Sequence, residues 1–210
     1  MRSRQIRPRR GISSAAVKGT AGRILCATVG SPAPPSHRLA RGAADCYVRL
    51  MIALLSDTHG NVDATRRALD LLAHHAPTEY IHLGDVGSPE VVRAFTGLQA
   101  RLLIGNNDYD IAGLAAAAGE AGVSLHKTIE LMSHGHRVFA THGHTRRMKD
   151  AVANGSYDAV LFGTTHVPAA EVAGVTRLIN PGALYRAPRY SVALVDPVSL
   201  EVTFIDVPKR

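Results

Sequence analysis

Residues 50–61 read LMIALLSDTHGN, and this stretch gives the clearest indication of the fold. Its first six residues are apolar without alternation, which is typical of a short strand buried on both faces of a sheet. The polar residues Asp57 and His59 follow directly, where the strand runs into a loop. The stretch therefore predicts a central strand of a helix-covered parallel sheet, with two potential metal ligands at its carboxyl end.

The same alternation of strand and helix continues beyond residue 61. A helix is predicted over residues 61–75, because Val62, Leu69 and Leu72 share one face. Ser88 followed by Pro89 is typical of a second helix start. The order β-α-β-α-β-α predicts a parallel sheet, with strands over 50–55, 80–83 and 101–104 and a third helix over 111–121.

Beyond Gly122 the pattern favours antiparallel structure. Two strands are joined by a turn at His134-Gly135, and a helix and several short strands follow. The predicted bounds are 128–133 and 137–141 for the first two strands, 145–153 for the helix, and 159–162, 171–175, 177–180, 190–195 and 202–207 for the later strands. The sum is an α/β domain, predicted to be a four-layer α-β-β-α sandwich of two mixed β-sheets flanked by helices.

The positive charge of the chain is concentrated before this domain. The formal net charge is +7, yet residues 1–49 hold ten of the 24 basic and one of the 17 acidic residues, which leaves residues 50–210 with a net charge of −2. A basic surface is the usual mark of a nucleic-acid partner, so such a partner is not expected for the domain. No apolar run reaches the ~18–20 residues of a membrane span, and we expect a cytoplasmic protein.

Residues 1–49 are rich in Arg, Ser, Gly and Pro and show neither helical nor strand periodicity. Such a composition does not bury enough apolar surface to order itself. We interpret the segment as a disordered or misassigned extension, with translation starting at Met51, and place the domain at residues 50–210. A functional basic tail and an export signal are alternatives, but only weakly apolar residues follow Arg9-Arg10.

Five clusters of His, Asp and Asn each follow the end of a predicted strand. They are DTHGN at 57–61, GD at 84–85, GNND at 105–108, HGH at 142–144 and GTTH at 163–166. The carboxyl ends of strands in open α/β sheets line one crevice, so all five clusters can converge on one site. Both cysteines, Cys26 and Cys46, precede residue 50, so a metal in the domain is held by His, Asp, Glu or Asn.

These motifs, in this order, resemble those of the calcineurin-like metallophosphoesterases, specifically the small bacterial and archaeal phosphodiesterases without a cap domain. The resemblance covers roughly residues 50–208. It implies one or two divalent ions, which can be Mn, Fe, Ni, Co or Zn. It further implies a first metal held by Asp57, His59, Asp85 and His166, and a second metal held by Asp85, Asn106 and His142, with Asn106 and His142 also acting in catalysis.

Two positions depart from the family pattern. Thr164 stands where the family has a histidine that binds the second metal, so this metal is expected to bind more weakly. Asn107 stands where many members have a histidine that assists the leaving group, so esters with good leaving groups are favoured. Asp108 and His144 are the candidates for that acid role. The segment Asn180-Pro181-Gly182 resembles the NPG segment that passes close to the site in the family.

The function predicted from this resemblance is hydrolysis of small phosphodiesters by a metal-activated hydroxide. A phosphomonoesterase on the same centre is one alternative. A catalytically weak interaction scaffold, like the retromer subunit that shares the fold, is another, and Thr164 is the residue that favours it. Six of seven ligand positions are retained, which favours an enzyme. The natural substrate, the metal, and a homo-oligomeric state are left open by the sequence.

Overall fold

The computed structural model describes residues 50–210, so the expectation for residues 1–49 lies outside the described part of the chain. The elements within this range are β1 (Ile52–Leu55), α1 (Val62–Ala73), β2 (Glu79–His82), α2 (Pro89–Arg93), β3 (Ala100–Leu103), α3 (Ile111–Ala121), β4 (Ser124–His126), β5 (Thr128–Ser133), β6 (His136–Thr141), α4 (Arg146–Ala153), β7 (Ala159–Leu161), β8 (Ala169–Ala173), β9 (Thr176–Asn180), β10 (Tyr190–Val195) and β11 (Val202–Val207).

The first sheet has six strands in the order β11-β10-β1-β2-β3-β4. The strands β1 to β4 are parallel neighbours, whereas β10 and β11 are antiparallel additions. Leu55 and His82, the last residues of β1 and β2, are paired in the register. Because these strands end side by side, the loops that carry Asp57 and Asp85 leave the same edge of the sheet.

The second sheet has five strands in the order β5-β6-β7-β9-β8. Its centre is parallel, and β5 and β8 are antiparallel edge strands. Ala140 pairs with Leu161, so β6 and β7 also end together. The loops that carry His142 and His166 therefore leave one edge of this second sheet.

The two sheets pack face to face, with helices on their outer faces. Leu54, Ile81 and Leu161 lie fully or almost fully buried in the cluster between the sheets. Leu55, one residue along β1, instead joins the cluster under α1, α2 and α3, because side chains alternate across a strand. Phe139 packs with residues of α4 on the far side. The predicted four-layer α-β-β-α sandwich is confirmed.

Local capping chemistry sets the helix ends close to the predicted bounds. Asn61 accepts a hydrogen bond from the Ala64 N–H at the start of α1, and Asp110 accepts one from the Gly113 N–H at the start of α3. Gly122 ends α3 with φ +71°, the left-handed conformation that glycine adopts without strain. These interactions are local, which is why the sequence pattern predicts them well.

Two strand predictions need correction. The short strand β4 was not expected, and it extends the first sheet in parallel beside β3. It has only three residues at a sheet edge and is nowhere fully buried, so it carries no hydrophobic pattern. The strand expected at 171–175 is found at Ala169–Ala173, because Gly174 and Val175 form the turn to β9. Within residues 50–210, no helix has the length and apolar character needed to cross a bilayer.

Candidate metal centre

Asp57 lies at the bottom of the site and is fully buried. Its Oδ2 atom accepts hydrogen bonds from the Ser56 hydroxyl at 2.6 Å and from the Thr164 N–H at 3.0 Å. Its Oδ1 atom has no hydrogen-bond partner within residues 50–210. One carboxylate oxygen is therefore fixed by the protein, and the other is left facing the centre of the site.

Asp85 is held in a similar way from the neighbouring strand. Asn107 donates its backbone N–H to Oδ1 at 2.8 Å and its side-chain amide to Oδ2 at 2.7 Å. Burial works to raise the pKa of Asp85, but these hydrogen bonds and the nearby His142 outweigh it and lower the pKa. Asp85 is therefore ionised at neutral pH.

Three histidines direct their Nε2 atoms at these carboxylates. His166 Nε2 lies 3.2 Å from Asp57 Oδ1. His59 Nε2 lies 3.9 Å from Asp57 Oδ1 and 3.5 Å from Asp85 Oδ2. His142 Nε2 lies 3.3 Å from Asp85 Oδ2 and 4.0 Å from Asp57 Oδ1. Donors from both sheets thus meet at one point.

The tautomer of His142 is set by its other ring nitrogen. Nδ1 lies 2.8 Å from the Leu83 carbonyl oxygen, which can only accept, so Nδ1 carries a proton. In the neutral ring, Nε2 is then a bare lone pair that faces two carboxylates. Burial works to lower the pKa of His142, but Asp85 and Asp57 outweigh it, and the pKa is raised. The site attracts a positive charge at this position.

A divalent cation fits the donor set. Three buried atoms, Asp57 Oδ1, His59 Nε2 and His142 Nε2, have no hydrogen-bond partner among the described residues. Buried polar atoms without a partner are rare in folded proteins and call for an explanation. Asp57, His59 and His166 form one group with ligand atoms within 4.8 Å of one another, and Asp57, Asp85 and His142 form a second. A cation in the first group would satisfy Asp57 Oδ1 and His59 Nε2, and a cation in the second group would satisfy Asp57 Oδ1 and His142 Nε2.

The two adjacent asparagines differ in their hydrogen bonds. Both residues are exposed, but Asn107 makes two hydrogen bonds to Asp85. Asn107 is therefore a neighbour of the carboxylate predicted to bridge the ions. The predicted role of Asn106 as a ligand of the second metal stays a prediction.

The candidate acids differ in their surroundings. Both oxygens of Asp108 accept backbone hydrogen bonds, from Gly87 at 2.7 Å and from Gly105 at 2.8 Å. This carboxylate joins two loops, and the acid role of Asp108 stays a prediction. His144 is exposed, and its ring centroid lies 5.4 Å from that of His142. Burial and the neighbouring His142 lower the pKa of His144.

The backbone of the site is strained. Asp57, His59, Asp85, Thr164 and His166 all have φ between +45° and +63°. This left-handed region is uncommon for residues other than glycine, and for a β-branched residue such as Thr164 it is an outlier. Strained residues of this kind cluster at functional sites.

Comparison with known proteins agrees with this geometry. A family model described as the calcineurin-like phosphoesterase superfamily domain matches residues 50–199. The chain belongs to the calcineurin-like phosphoesterase superfamily. The predicted family and its reaction class, hydrolysis of phosphoric esters, are thereby confirmed.

Relatives of this phosphoesterase include two proteins named phosphodiesterases. Phosphodiesterase MJ0936 of Methanocaldococcus jannaschii is 29% identical over 138 residues, which cover 63% of this chain and 83% of that protein. Phosphodiesterase YfcE of Escherichia coli K12 is 29% identical over 148 residues, which cover 65% of this chain and 79% of that protein. A solved structure described as a novel archaeal phosphodiesterase matches with a TM-score of 0.69 at 25% identity, over 75% of this chain and all of that one.

His82 connects the first two ligand loops of this phosphoesterase. It is fully buried, and its Nδ1 accepts the Gly84 N–H at 3.2 Å. Its Nε2 therefore carries the proton and donates to the Thr58 hydroxyl at 3.0 Å, which itself donates to the Val86 carbonyl oxygen. Burial, and then His142, lower the pKa of His82 to about 3. These contacts fix the Asp57 and Asp85 loops relative to each other, which is a structural role.

The segment after Asn180 lies against the site of the phosphoesterase. The Asn180 amide donates to the Gly163 carbonyl oxygen at 2.9 Å and so fixes the loop that carries His166. Three residues near the centre were not singled out from the sequence: Ser56, Tyr185 and Arg186. The sequence features that could have indicated them are weak. Ser56 is adjacent to Asp57, and Tyr185 and Arg186 lie just beyond the Asn180-Pro181-Gly182 segment.

Proposed function

We propose that this domain is a metal-dependent phosphodiesterase that acts on small phosphodiesters. The observation that carries the proposal is the set of inward-facing atoms without partners, Asp57 Oδ1, His59 Nε2 and His142 Nε2. Asp57, His59, Asp85, His142 and His166 would hold the cations, with Mn, Fe, Ni, Co and Zn suited to nitrogen and oxygen donors. Bound divalent ions supply a hydroxide nucleophile near neutral pH and neutralise charge on the phosphoryl oxygens.

Hydrogen bonds within the chain hold the buried side chains of Asp57, Asp85 and His142 in fixed positions for that chemistry. Ser56 and the Thr164 N–H orient Asp57, and Asn107 orients Asp85, so neither carboxylate has to reorganise during the reaction. The Leu83 carbonyl oxygen holds His142 in the tautomer that presents Nε2 to the site. Preorganised polar groups of this kind are a large source of rate enhancement.

Departure of the leaving group receives little help from the chain. The Asn107 amide is engaged by Asp85 and has no proton to transfer. His144 is the remaining candidate beside His142, and its exposed position lets it reach an ester oxygen. We therefore propose that esters with acidic leaving groups, such as aryl phosphodiesters, react fastest.

A catalytically weak interaction scaffold is the second candidate, and Thr164 is the residue that favours it. Its side chain offers a hydroxyl where the family pattern has an imidazole, and its backbone N–H is engaged by Asp57. Retention of the other ligand positions weighs against this candidate, because a chain released from catalysis has no reason to keep buried, unpartnered donors.

Metal analysis and hydrolysis of a model substrate test the proposal together. The full chain is loaded with Mn²⁺, its bound metal is counted, and its rates with bis(4-nitrophenyl) phosphate and 4-nitrophenyl phosphate are compared with and without chelator. We expect metal-dependent hydrolysis that is faster for the diester. Faster hydrolysis of the monoester would identify a phosphomonoesterase. Absence of bound metal and of hydrolysis with all five metals would exclude the enzyme and favour the interaction scaffold.

A matched pair of variants separates chemistry from folding. Asp85→Asn removes the carboxylate charge that Asp85 contributes to the second ligand group and is expected to abolish hydrolysis. His75→Gln changes an exposed histidine after α1 and is expected to leave the rate unchanged. Equal rates for the two variants would exclude this centre as the origin of the activity.

A further inference from the structure

A cavity of about 510 Å³ opens directly beside the metal centre. The predicted ligands His59 and His166 form one part of its wall, and the other lining residues are Gly87, Asn107, Tyr109, Tyr185 and Arg186. The volume is in the range of sites that hold a whole small molecule. The cavity therefore has room for more of the substrate than the phosphoryl group that reacts.

The segment that carries Tyr185 and Arg186 is tied to the ligand loop. The Leu184 N–H donates to the Asp57 carbonyl oxygen at 3.3 Å, and the Asn61 amide donates to the Leu184 carbonyl oxygen at 2.9 Å. On the other side, Lys209 donates to the Ala187 carbonyl oxygen at 2.8 Å. Tyr185 and Arg186 are thus held between two anchors, one of which is the loop of a predicted metal ligand.

The backbone of Arg186 shares the unusual conformation of the ligands. Its φ is +44°, in the left-handed region that residues with a Cβ adopt infrequently. The surrounding hydrogen bonds maintain this conformation at a point where the side chain borders the cavity. Strain that is kept in this way marks a position where the direction of a side chain matters.

The Arg186 guanidinium lies over the Tyr185 ring and has no acidic partner within residues 50–210. Its Cζ atom lies 5.0 Å from the centroid of the Tyr185 ring, and that ring lies 5.1 Å from the ring of His59. Within residues 50–210, no carboxylate forms an ion pair with it. Arg189, three residues later, instead pairs with Asp206 at 3.4 Å. The cation of Arg186 is therefore uncompensated at the rim of the site.

The N–H groups of the Arg186 guanidinium are available to a ligand. They donate to no acceptor within residues 50–210, and the guanidinium fork matches two oxygens of a carboxylate or phosphate. We propose that Arg186, supported by Tyr185, binds a second anionic group of the substrate while the phosphodiester lies at the metal centre. This rests on the proposed phosphodiesterase function and narrows its substrates to phosphodiesters that carry a further carboxylate or phosphate.

The test uses three 4-nitrophenyl phosphodiesters that share a leaving group. The second ester group is a phenyl ring with a carboxylate, a phosphonate or a neutral carboxamide in the same position. The metal-loaded full chain is expected to prefer the two anionic substrates, mainly through a lower KM. Arg186→Gln is expected to reduce kcat/KM for the anionic substrates about ten- to hundredfold and to change kcat/KM for the carboxamide less than twofold. Arg186→Lys is expected to recover part of the loss. The ratio between carboxylate and phosphonate identifies the preferred anion.

Arg189→Gln is the matched control, because it removes an exposed arginine of the same segment that already has a partner. It is expected to leave all three rates unchanged. Equal losses on all three substrates in Arg186→Gln would overturn the inference, since Arg186 would then act on the reacting phosphoryl group or on the fold. Unchanged rates on all three would overturn it as well, while the phosphodiesterase function would stand.

A binding measurement separates this inference from the proposed function. Calorimetry compares 4-carboxyphenyl phosphate with 4-carbamoylphenyl phosphate on the metal-loaded chain. If the wild type binds the carboxylate compound more tightly than the carboxamide compound, and Arg186→Gln loses this difference in affinity, the anion site is supported even if no substrate is hydrolysed. Equal binding of the two compounds by the wild type overturns the site even if hydrolysis is observed.

Discussion

His142 Nε2 lies 3.3 Å from Asp85 Oδ2, although the two residues follow strands of different sheets, and both are buried. The His142 Nδ1 proton is already donated to Leu83, so the neutral ring presents no proton to Asp85. A lone pair and a carboxylate at this distance repel each other unless a proton or a metal cation lies between them. The two residues are therefore best understood as two donors arranged around the same positive charge.

Removal of the imidazole at position 142 is expected to weaken metal binding. His142→Asn keeps a polar side chain but removes Nε2, and an affinity loss of about a hundredfold corresponds to about 2.7 kcal/mol of lost stabilisation. We expect the Mn²⁺-induced rise in Tm, measured against the chelated protein, to fall to less than half of the wild-type value. Because each variant is compared with its own chelated form, any direct effect on folding cancels. A rise equal to that of the wild type would contradict the assignment.

Substitution of Asn107 is expected to affect mainly the stability of the fold, and substitution of Asn106 mainly the binding of metal. Asn107→Ala removes a hydrogen bond to the Asp85 carboxylate and should lower the free energy of unfolding of the chelated protein by about 1–3 kcal/mol. Asn106 is also exposed, but its side chain makes no hydrogen bond within residues 50–210, so Asn106→Ala should lower this free energy by less than about 0.5 kcal/mol. Urea titration measures both values.

Metal content then tests the ligand assignment that the family resemblance implies. Asn106→Ala is expected to reduce occupancy of the second ion, and Asn107→Ala to reduce it less. The reverse order would make Asn107 the amide that binds the ion.

Thr164→His is expected to raise occupancy of the second ion and the turnover rate. The position has φ +63°, which histidine tolerates better than a β-branched residue, so the substitution should not disturb the backbone. Thr164→Asn is the control, because asparagine also tolerates this conformation but brings no imidazole. Metal analysis at saturating Mn²⁺ decides the outcome. The same stoichiometry in all three proteins would mean that Thr164 does not mark the missing ligand.

His82 is expected to make the fold sensitive to acid. Its pKa is lowered from 6.5 to about 3 in the folded protein, so between these values the unfolded chain binds a proton that the folded protein does not. The free energy of unfolding should therefore fall as the pH decreases through this window, by up to about 1.4 kcal/mol per pH unit. His82→Gln should show a shallower dependence in urea titrations of chelated protein, whereas the exposed His74→Gln should retain the wild-type slope. Identical slopes for His82→Gln and wild type would be the contrary result.

Much of the fold could be predicted because its determinants are local. The bounds of α3, β5, β10 and β11 match the prediction at both ends. A run of apolar residues specifies a buried strand wherever it packs, and a capping side chain satisfies N–H groups only three residues away. The strand β4 escaped prediction because its three residues are ordered by pairing with Leu102 and its neighbours, which lie about 20 residues earlier.

The kinds of donor in the site, and the strand ends that carry them, follow from the sequence alone. The atoms of those donors that face each other are known only from the folded chain, because their contact depends on how two separate sheets pack. Asn106 and Asn107 are neighbours of the same residue type, and no local pattern distinguishes the one that contacts Asp85. The place of Arg186 likewise follows from the hydrogen bond between Leu184 and Asp57, which joins residues 127 positions apart.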